Sequence, residues 1–168
     1  WKEDVGKRPP WLIKQNCAWP GAFAVRYWMD EWKAILFGPG DSYLRRITSA
    51  GFDGVYLDRV DMWENTRDLN PDTKSAMIDF VIELAETARA INANVILIAE
   101  PWGGGGYDPA AFSDLGYSSW NDRIRNAVKG EHPGRDHGFL LGRYRSGETK
   151  ATIEACLAGS LRADGGAF

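Results

Sequence analysis

Two carboxylate residues follow the two most strand-like apolar runs of the sequence. Asp58 comes directly after Val55-Tyr56-Leu57, and a second acid, Asp61, follows three residues later. Glu100 comes directly after the continuous apolar run at residues 95–99. Because the carboxyl ends of parallel strands meet at one mouth of a sheet, we expect Asp58 and Glu100 to be neighbours. The pattern favours a functional site built on two carboxylates; the alternative is that both acids only cap helices or close turns.

Aromatic residues and glycine are abundant, since the chain holds eight Trp and nineteen Gly. Flat rings among glycine-rich loops suit carbohydrate binding, because apolar sugar faces stack on them, but they also suit core packing. The candidate substrate-binding residues are Tyr27, Trp28, Asp61, Trp63 and Trp102.

Helices and strands alternate in the order that would position the two carboxylates. The sequence predicts strands at residues 22–28, 54–58 and 95–99, and helices from about Glu31 to Gly51, with an interruption at Gly38-Pro39-Gly40. A strand, helix, strand, helix, strand order implies a parallel sheet with right-handed crossovers. The run at residues 95–99 suits a strand that is buried on both faces.

The helix before Glu100 has the clearest signals in the chain. Asn70 is predicted to cap it, and Pro71 to occupy its first position. Its apolar residues recur at helical spacing and predict one buried stripe: Met77, Phe80, Val81, Leu84, Ala85 and Ala88.

The ends of the chain have weaker signals. The first twenty residues are predicted to be loop, because Pro9-Pro10 blocks a helix. Ser118, Ser119 or Asn121 is predicted to cap a helix over residues 120–129. A short helix or strand is expected at residues 139–144, and a helix at residues 148–161.

Composition excludes several classes of partner. The chain has 168 residues, 44% of them apolar and 26% charged, which predicts one α/β domain over residues 1–168. A net charge of −3 without a basic patch argues against nucleic acid. The absence of an apolar run of 18 residues argues against a membrane span.

Metal and cofactor sites are not predicted. Cys17 and Cys156 are far apart and are expected to be free buried thiols. His132 and His137 lie five residues apart in a loop rich in Pro and Gly, which is poor spacing for two metal ligands. The glycines at residues 103–106 lack the pattern of a nucleotide-binding loop, so we predict no cofactor.

Two stretches of the chain resemble two different families. Residues 11–91 are similar to the endo-alpha-1,4-polygalactosaminidase-like barrel family through WPGAFAVRYWMDEW at residues 19–32 and GFDGVYLDRVDMWE at residues 51–64. Residues 95–168 resemble the isoamylase and glycogen-debranching branch of the alpha-amylase family through LIAEPWGGGGYDPAAF at residues 97–112 and SSWNDRIRNAVKG at residues 118–130. The chain thus resembles a spliced barrel with a junction near residues 90–95.

The resemblance implies roles for both carboxylates. Glu100 matches the general acid of the alpha-amylase family, and Asp58 matches the catalytic aspartate of the galactosaminidase-like family. Asp58 also occupies the nucleophile position of the alpha-amylase family by order along the chain. That family's arginine two residues before the nucleophile is Tyr56 here.

Both families are (β/α)₈ barrels that act on carbohydrates, so the resemblance implies an α/β fold of the TIM-barrel type. The sequence predicts three strands, or four at most, against the eight of a closed barrel, which predicts a half barrel. A half barrel leaves two open sheet edges, and we expect a homo-oligomer to complete it. The alternatives are a fragment of a longer enzyme and a rearranged compact α/β fold. Two functions stay open at this point. One is a glycoside hydrolase that acts on alpha-linked polysaccharide, and the other is a non-catalytic half-barrel scaffold without a complete site.

Overall fold

The computed structural model of the protein describes residues 5–100, 102–103, 106–107, 115–120, 122–130, 138–141 and 147–157. These residues belong to two compact units. Unit 1 comprises Trp1–Val55 and Asp61–Val95, and unit 2 comprises Tyr56–Val60 and Ile96–Phe168. The division after Val95 lies at the end of the range predicted for the junction, and the origin of the two parts stays a prediction.

The described strands are short and the helices vary in length. The strands are β1 (Leu12–Gln15), β2 (Phe23–Val25), β3 (Gly54–Leu57), β4 (Ile96–Ala99), β5 (Trp102–Gly103), β6 (Gly106–Tyr107) and β7 (Ser118–Ser119). The helices are α1 (Asp30–Phe37), α2 (Tyr43–Ser49), α3 (Thr73–Ile91), α4 (Asp122–Lys129) and α5 (Gly147–Leu157). Short 3₁₀ segments cover Val5–Lys7, Val60–Thr66 and Phe139–Leu141.

A three-stranded parallel sheet with the order β3-β4-β7 positions the predicted carboxylates. Its hydrogen bonds continue one residue beyond the strand ends, since the Glu100 N–H donates to the Leu57 carbonyl at 3.1 Å. The Trp120 N–H likewise donates to the Ala99 carbonyl at 3.0 Å. The α/β class and the adjacency of the strands that precede Asp58 and Glu100 are therefore confirmed.

Strand β4 differs from its prediction in burial. Leu97 and Ala99 are buried, whereas Ile96 is 53% exposed and Ile98 is half-buried. Neighbouring residues of a strand face opposite sides, so the run is fully buried on one side only. The continuous apolar run therefore predicted burial on both faces, whereas the strand is fully buried on one face only.

The prediction for the first strand was wrong in its partner. Strand β2 pairs with β1 in antiparallel orientation, and the two form a separate sheet. Strand β1 lies within the residues predicted to be loop. The connection has the expected turn chemistry, because the Asn16 side chain accepts a hydrogen bond from the Ala18 N–H at 2.9 Å and Gly21 has a φ of 100°.

The core of unit 1 is built around α3, which contacts α1 and α2. The whole predicted stripe of α3 is buried. The Phe80 ring contacts the rings of Tyr27 and Phe37 at 6.0 and 5.5 Å between centroids. Helix α3 begins at Thr73 rather than at Pro71, and the Asn70 side chain accepts from the Asp72 N–H at 2.9 Å, so it closes the turn that precedes the helix.

Unit 2 holds the remaining helices. Helix α4 contacts α5 and the Phe139–Leu141 segment, and Cys156 of α5 is buried against Ile124 of α4. Cys17 of unit 1 is exposed, so the expectation of two buried thiols was wrong for that residue. In the part of the chain that the structure describes, no helix has the length and apolarity to cross a membrane.

Candidate functional site

The first carboxylate of the candidate site, Asp58, directly follows strand β3. Gly51 has a φ of 87° and ends the segment after α2, as predicted for a helix-terminating glycine. The chain then enters β3 and leaves it at Asp58, whose side chain is exposed. Residues two apart in a strand face the same side, so Tyr56 and Asp58 lie together.

Glu100 follows β4 and meets Asp58 directly. The Asp58 carboxyl lies close enough to the Glu100 carboxyl to raise its pKa. The two predicted catalytic residues are therefore brought together at adjacent strand ends within unit 2. Their catalytic role stays a prediction.

Opposing influences act on the pKa of Glu100. Partial burial raises this pKa above its usual value of 4.5, and the hydrogen bond and charge of Asp58 raise it further. Hydrogen bonds from the Tyr56 hydroxyl and the Arg59 backbone N–H lower it, because they stabilise the charged form. The raising influences prevail, so the net shift of the Glu100 pKa is upward.

Tyr56 belongs to the same hydrogen-bond network. Burial, together with the charges of Glu100 and Asp58 and the hydrogen bond to Glu100, raises the pKa of Tyr56 to about 12. Its hydroxyl therefore keeps its proton at physiological pH and donates to Glu100. The donor to Glu100 at this position is therefore a neutral hydroxyl.

Arg59 adopts a backbone conformation that side-chain-bearing residues rarely take. Its φ is 61°, the only positive φ of a non-glycine residue among those described. This conformation costs about 1–2 kcal/mol relative to an ordinary one. Strain of this kind is common at functional sites, and here it accompanies the hydrogen bond from the Arg59 N–H to Glu100.

Trp120 follows β7 and lies beside Tyr56. The ring centroids are 5.5 Å apart and the ring planes meet at 52°. The two side chains are 48% and 45% exposed, respectively. The prediction of a helix at Trp120 was wrong, because Ser118 and Ser119 resemble helix caps and a two-residue strand leaves almost no periodic signal.

Tyr56, Arg59 and Trp120 were not among the predicted site residues. The alternation of β3 carried a signal for Tyr56, which shares a strand face with Asp58. No local pattern indicates that Arg59 adopts a positive φ. The position of Trp120 beside Tyr56 follows only from the strand order β3-β4-β7, which the sequence does not show.

The predicted aromatic residues Tyr27 and Trp28 lie in unit 1. Tyr27 is buried, and its hydroxyl donates to the Thr73 carbonyl at 2.7 Å. Burial raises the pKa of Tyr27. The half-buried Trp28 packs edge-on against Tyr27 at 5.0 Å. Substrate binding by this pair stays a prediction, and the burial of Tyr27 favours a structural role.

The predicted residues Asp61 and Trp63 lie on the Val60–Thr66 segment of unit 1, and both are half-buried. The Trp63 ring makes cation–π contacts with two side chains. The Arg67 guanidinium lies 4.6 Å and the Lys74 ammonium 5.4 Å from the ring centroid. Trp102 begins β5, which pairs with β6 in antiparallel orientation. Binding of substrate by these three residues also stays a prediction.

Metal ligands were not predicted, and the described residues hold no group of three His, Cys, Asp or Glu side chains that would bind a metal ion. His132 and His137 lie outside the described residues.

Three curated relatives match the chain over 92 to 105 residues. An uncharacterized protein of Thermotoga maritima is 38% identical and the match covers 60% of this chain, while one of Methanocaldococcus jannaschii is 40% identical over 58% of it. An uncharacterized protein of Deinococcus radiodurans is 36% identical over 55% of this chain. The matches cover 31%, 28% and 28% of these relatives, so the chain spans less than a third of their length.

A solved structure shows the relationship of the fold. The crystal structure of a pullulanase from Anoxybacillus sp. LM18-11, complexed with maltotetraose, matches 90% of this chain and 22% of its own chain. The TM-score is 0.57 and the identity is 18%, so the match concerns the fold alone. It supports the interpretation of the parallel sheet as part of a TIM-type barrel.

The family is shown by a direct match to the sequence. The model of glycoside-hydrolase family GH114 matches residues 1–100, a range that contains both Asp58 and Glu100 and extends past the predicted junction. The predicted relationship to barrel glycosidases is confirmed. The protein belongs to glycoside-hydrolase family GH114.

Proposed function

We propose that the chain carries the acid pair of a glycoside hydrolase that acts on alpha-linked polysaccharide. The meeting of Asp58 and Glu100 at the ends of neighbouring strands is the observation that carries this proposal. Glycoside hydrolysis needs a carboxylic acid to protonate the leaving oxygen and a carboxylate to attack the sugar or to activate water. The raised pKa supports the acid role for Glu100, and the carboxylate role then falls to Asp58.

The proposed reaction is of the retaining type. The Glu100 carboxyl gives its proton to the glycosidic oxygen as the bond to the anomeric carbon breaks, and an Asp58 oxygen forms a bond to that carbon. Water then displaces Asp58 and returns a proton to Glu100. Retaining enzymes hold their carboxyls about 5–5.5 Å apart and inverting enzymes about 6.5–9.5 Å apart. Asp58 and Glu100 follow the neighbouring strands β3 and β4, and neighbouring strands lie about 4.7–4.9 Å apart, which favours the shorter, retaining separation.

A substrate screen tests this proposal. The chain is incubated with alpha-glucans and with galactosaminoglycans, and new reducing ends are measured for the unmodified protein and for Glu100→Gln. We expect cleavage of at least one class and its loss in the variant. Activity that Glu100→Gln leaves unchanged would eliminate Glu100 as the acid.

A non-catalytic scaffold is the second candidate function. It is favoured by the three strands of the described parallel sheet, against the eight of a closed barrel. Absence of cleavage in the whole screen would favour the scaffold.

We also propose that the chain self-associates. Strands β3 and β7 are the outer strands of the described three-stranded sheet, and outer strands of this kind pair with further strands. Sedimentation at micromolar concentration is expected to give a dimer or a larger species. A compact monomer at that concentration would exclude a barrel completed by a second copy.

A splice of two barrel lineages is the last part of the proposal. It is supported by the two sets of motifs and by the different extents of the matches, since the family model ends at residue 100 while the pullulanase match covers 90% of the chain. Sequencing of the natural locus tests it. An uninterrupted reading frame across residues 90–95 is expected, and two separate frames would contradict a natural splice.

A further inference from the structure

An aromatic surface adjoins the acid pair in unit 2. It consists of Tyr56, which follows Val55 in β3, and Trp120, which follows β7. Both rings are close to half exposed, whereas aromatic residues of the core such as Tyr27 and Phe37 are at most 8% exposed. Rings of this size are usually buried, so two exposed and mutually touching rings indicate a surface that binds something.

The backbone holds this surface in register with the carboxyls. The Glu100 N–H donates to the Leu57 carbonyl, which fixes the end of β4 against β3, and the Trp120 N–H donates to the Ala99 carbonyl, which fixes Trp120 one strand further on. The residue before Glu100 therefore anchors Trp120, and the residue after Tyr56 anchors Glu100. Side chains that are positioned through the backbone in this way keep a constant spacing.

The Tyr56 and Trp120 side chains differ in what they can bind. The Tyr56 hydroxyl is engaged by the Glu100 carboxyl, so this side chain is held by the acid. Trp120 has the larger apolar face. Because the ring planes meet at 52°, one flat sugar cannot stack on both rings. A sugar that stacks on Trp120 presents its edge to Tyr56.

We propose that Tyr56 and Trp120 form a sugar subsite in which the apolar face of one pyranose ring stacks on Trp120, next to the bond that Glu100 and Asp58 cleave. A pyranose fits this surface because its C–H groups form an apolar face and its hydroxyls hydrogen-bond to carboxyls around the edge. This inference rests on the proposed glycosidase function and names the residue that positions the substrate for it.

Sugar binding is measured by isothermal titration of the full chain with two probes, maltotetraose and an alpha-1,4-linked galactosamine tetramer. We expect at least one probe to bind. Trp120→Ala is expected to weaken that affinity about tenfold, which corresponds to about 1.4 kcal/mol, whereas Trp120→Phe retains most of it. Trp19→Ala is the matched control, because Trp19 is a tryptophan that is 69% exposed and does not belong to the aromatic surface, and it is expected to leave binding unchanged.

Three outcomes would overturn the subsite. The first is the absence of binding of either probe at millimolar concentration. The second is equal binding by Trp120→Ala and the unmodified protein, and the third is an equal loss in Trp120→Ala and Trp19→Ala. Circular dichroism checks that each variant is folded. Trp120→Phe keeps an aromatic ring at this position and provides a second measurement if Trp120→Ala fails to fold. A loss of affinity in Trp120→Phe as large as the loss expected for Trp120→Ala would also overturn stacking.

The subsite and the proposed reaction can fail separately. Glu100→Gln is expected to bind the probe with the same dependence on Trp120 while it loses hydrolysis. Binding that depends on Trp120 in a protein that cleaves neither class would leave the subsite standing and reject the reaction. Cleavage with a kcat/KM that is unchanged in Trp120→Ala would leave the reaction standing and reject the subsite.

Discussion

At the scale of single residues, the candidate site combines two neighbouring carboxyls with uncharged hydrogen-bond donors. Hydrogen bonds from the Tyr56 hydroxyl and the Arg59 N–H lower the pKa of Glu100, but burial and the neighbouring Asp58 outweigh them, so the pKa stays raised. The balance between these donors and burial therefore sets the direction of the shift.

Tyr56→Phe tests the role of the hydroxyl. Its hydrogen bond lowers the pKa of Glu100, so its removal raises that pKa further. Because the acid must be protonated, we expect the alkaline limb of the pH profile of kcat/KM to move to higher pH. An unchanged limb, or one displaced to lower pH, would show that the hydroxyl does not act on Glu100.

The raised pKa of Glu100 determines whether Glu100→Gln increases or decreases the stability of the folded protein. The pKa of Glu100 in the folded protein lies above its usual value of 4.5, so the folded state is penalised once the group ionises. We expect Glu100→Gln to raise the free energy of unfolding at pH 7, with a gain that disappears as the pH falls below 4.5. Thermal unfolding across this range checks it. Glu86→Gln, an exposed change on α3, is the control and should alter the free energy by less than about 0.5 kcal/mol at either end of the range.

The strain at Arg59 is tested by two substitutions that both remove the side chain. Arg59→Gly is expected to be more stable than Arg59→Ala by about 1 kcal/mol, because only glycine takes a positive φ without strain. Ala151→Gly in α5 is the control with the opposite sign and should cost about 1 kcal/mol. If Arg59→Ala proves the more stable of the pair in chemical denaturation, the backbone is not strained there.

At the scale of elements, the segments whose apolar residues recur at a regular spacing could be predicted from the sequence. The buried stripe of α3 was identified residue by residue, because six apolar residues on one helix face leave few alternatives. The strands that precede Asp58 and Glu100 were also identified, and with them the meeting of the two carboxyls. The remaining elements depend on partners distant in sequence. Strand β1 exists because β2 pairs with it, and the two-residue strand β7 exists because β4 is beside it. This is why Trp120 was missed.

Leu84→Ala tests the packing role of α3. Leu84 is buried in the stripe, so the change removes apolar contacts and leaves a cavity, which typically costs about 2–5 kcal/mol. Glu86→Ala on the exposed side of the same helix is the matched control and should change stability by less than about 0.5 kcal/mol. Urea denaturation of both variants gives the comparison, and equal effects would contradict the burial of this face.

At the scale of the whole molecule, family membership and the acid pair agree on one chemistry. The matched family range holds both carboxyls, and the pullulanase match places the sheet in a barrel-type fold. The chain spans less than a third of its curated relatives.

The most direct test of the central claim is a double-mutant cycle on kcat/KM with the polysaccharide that the unmodified chain cleaves. Residues that act as one catalytic unit give losses that do not add. We expect Asp58→Asn and Glu100→Gln each to reduce kcat/KM by at least about 100-fold, and the double variant to lose little more than the worse single one. Losses that multiply, or a single variant that keeps full activity, would contradict a hydrolase built on this pair.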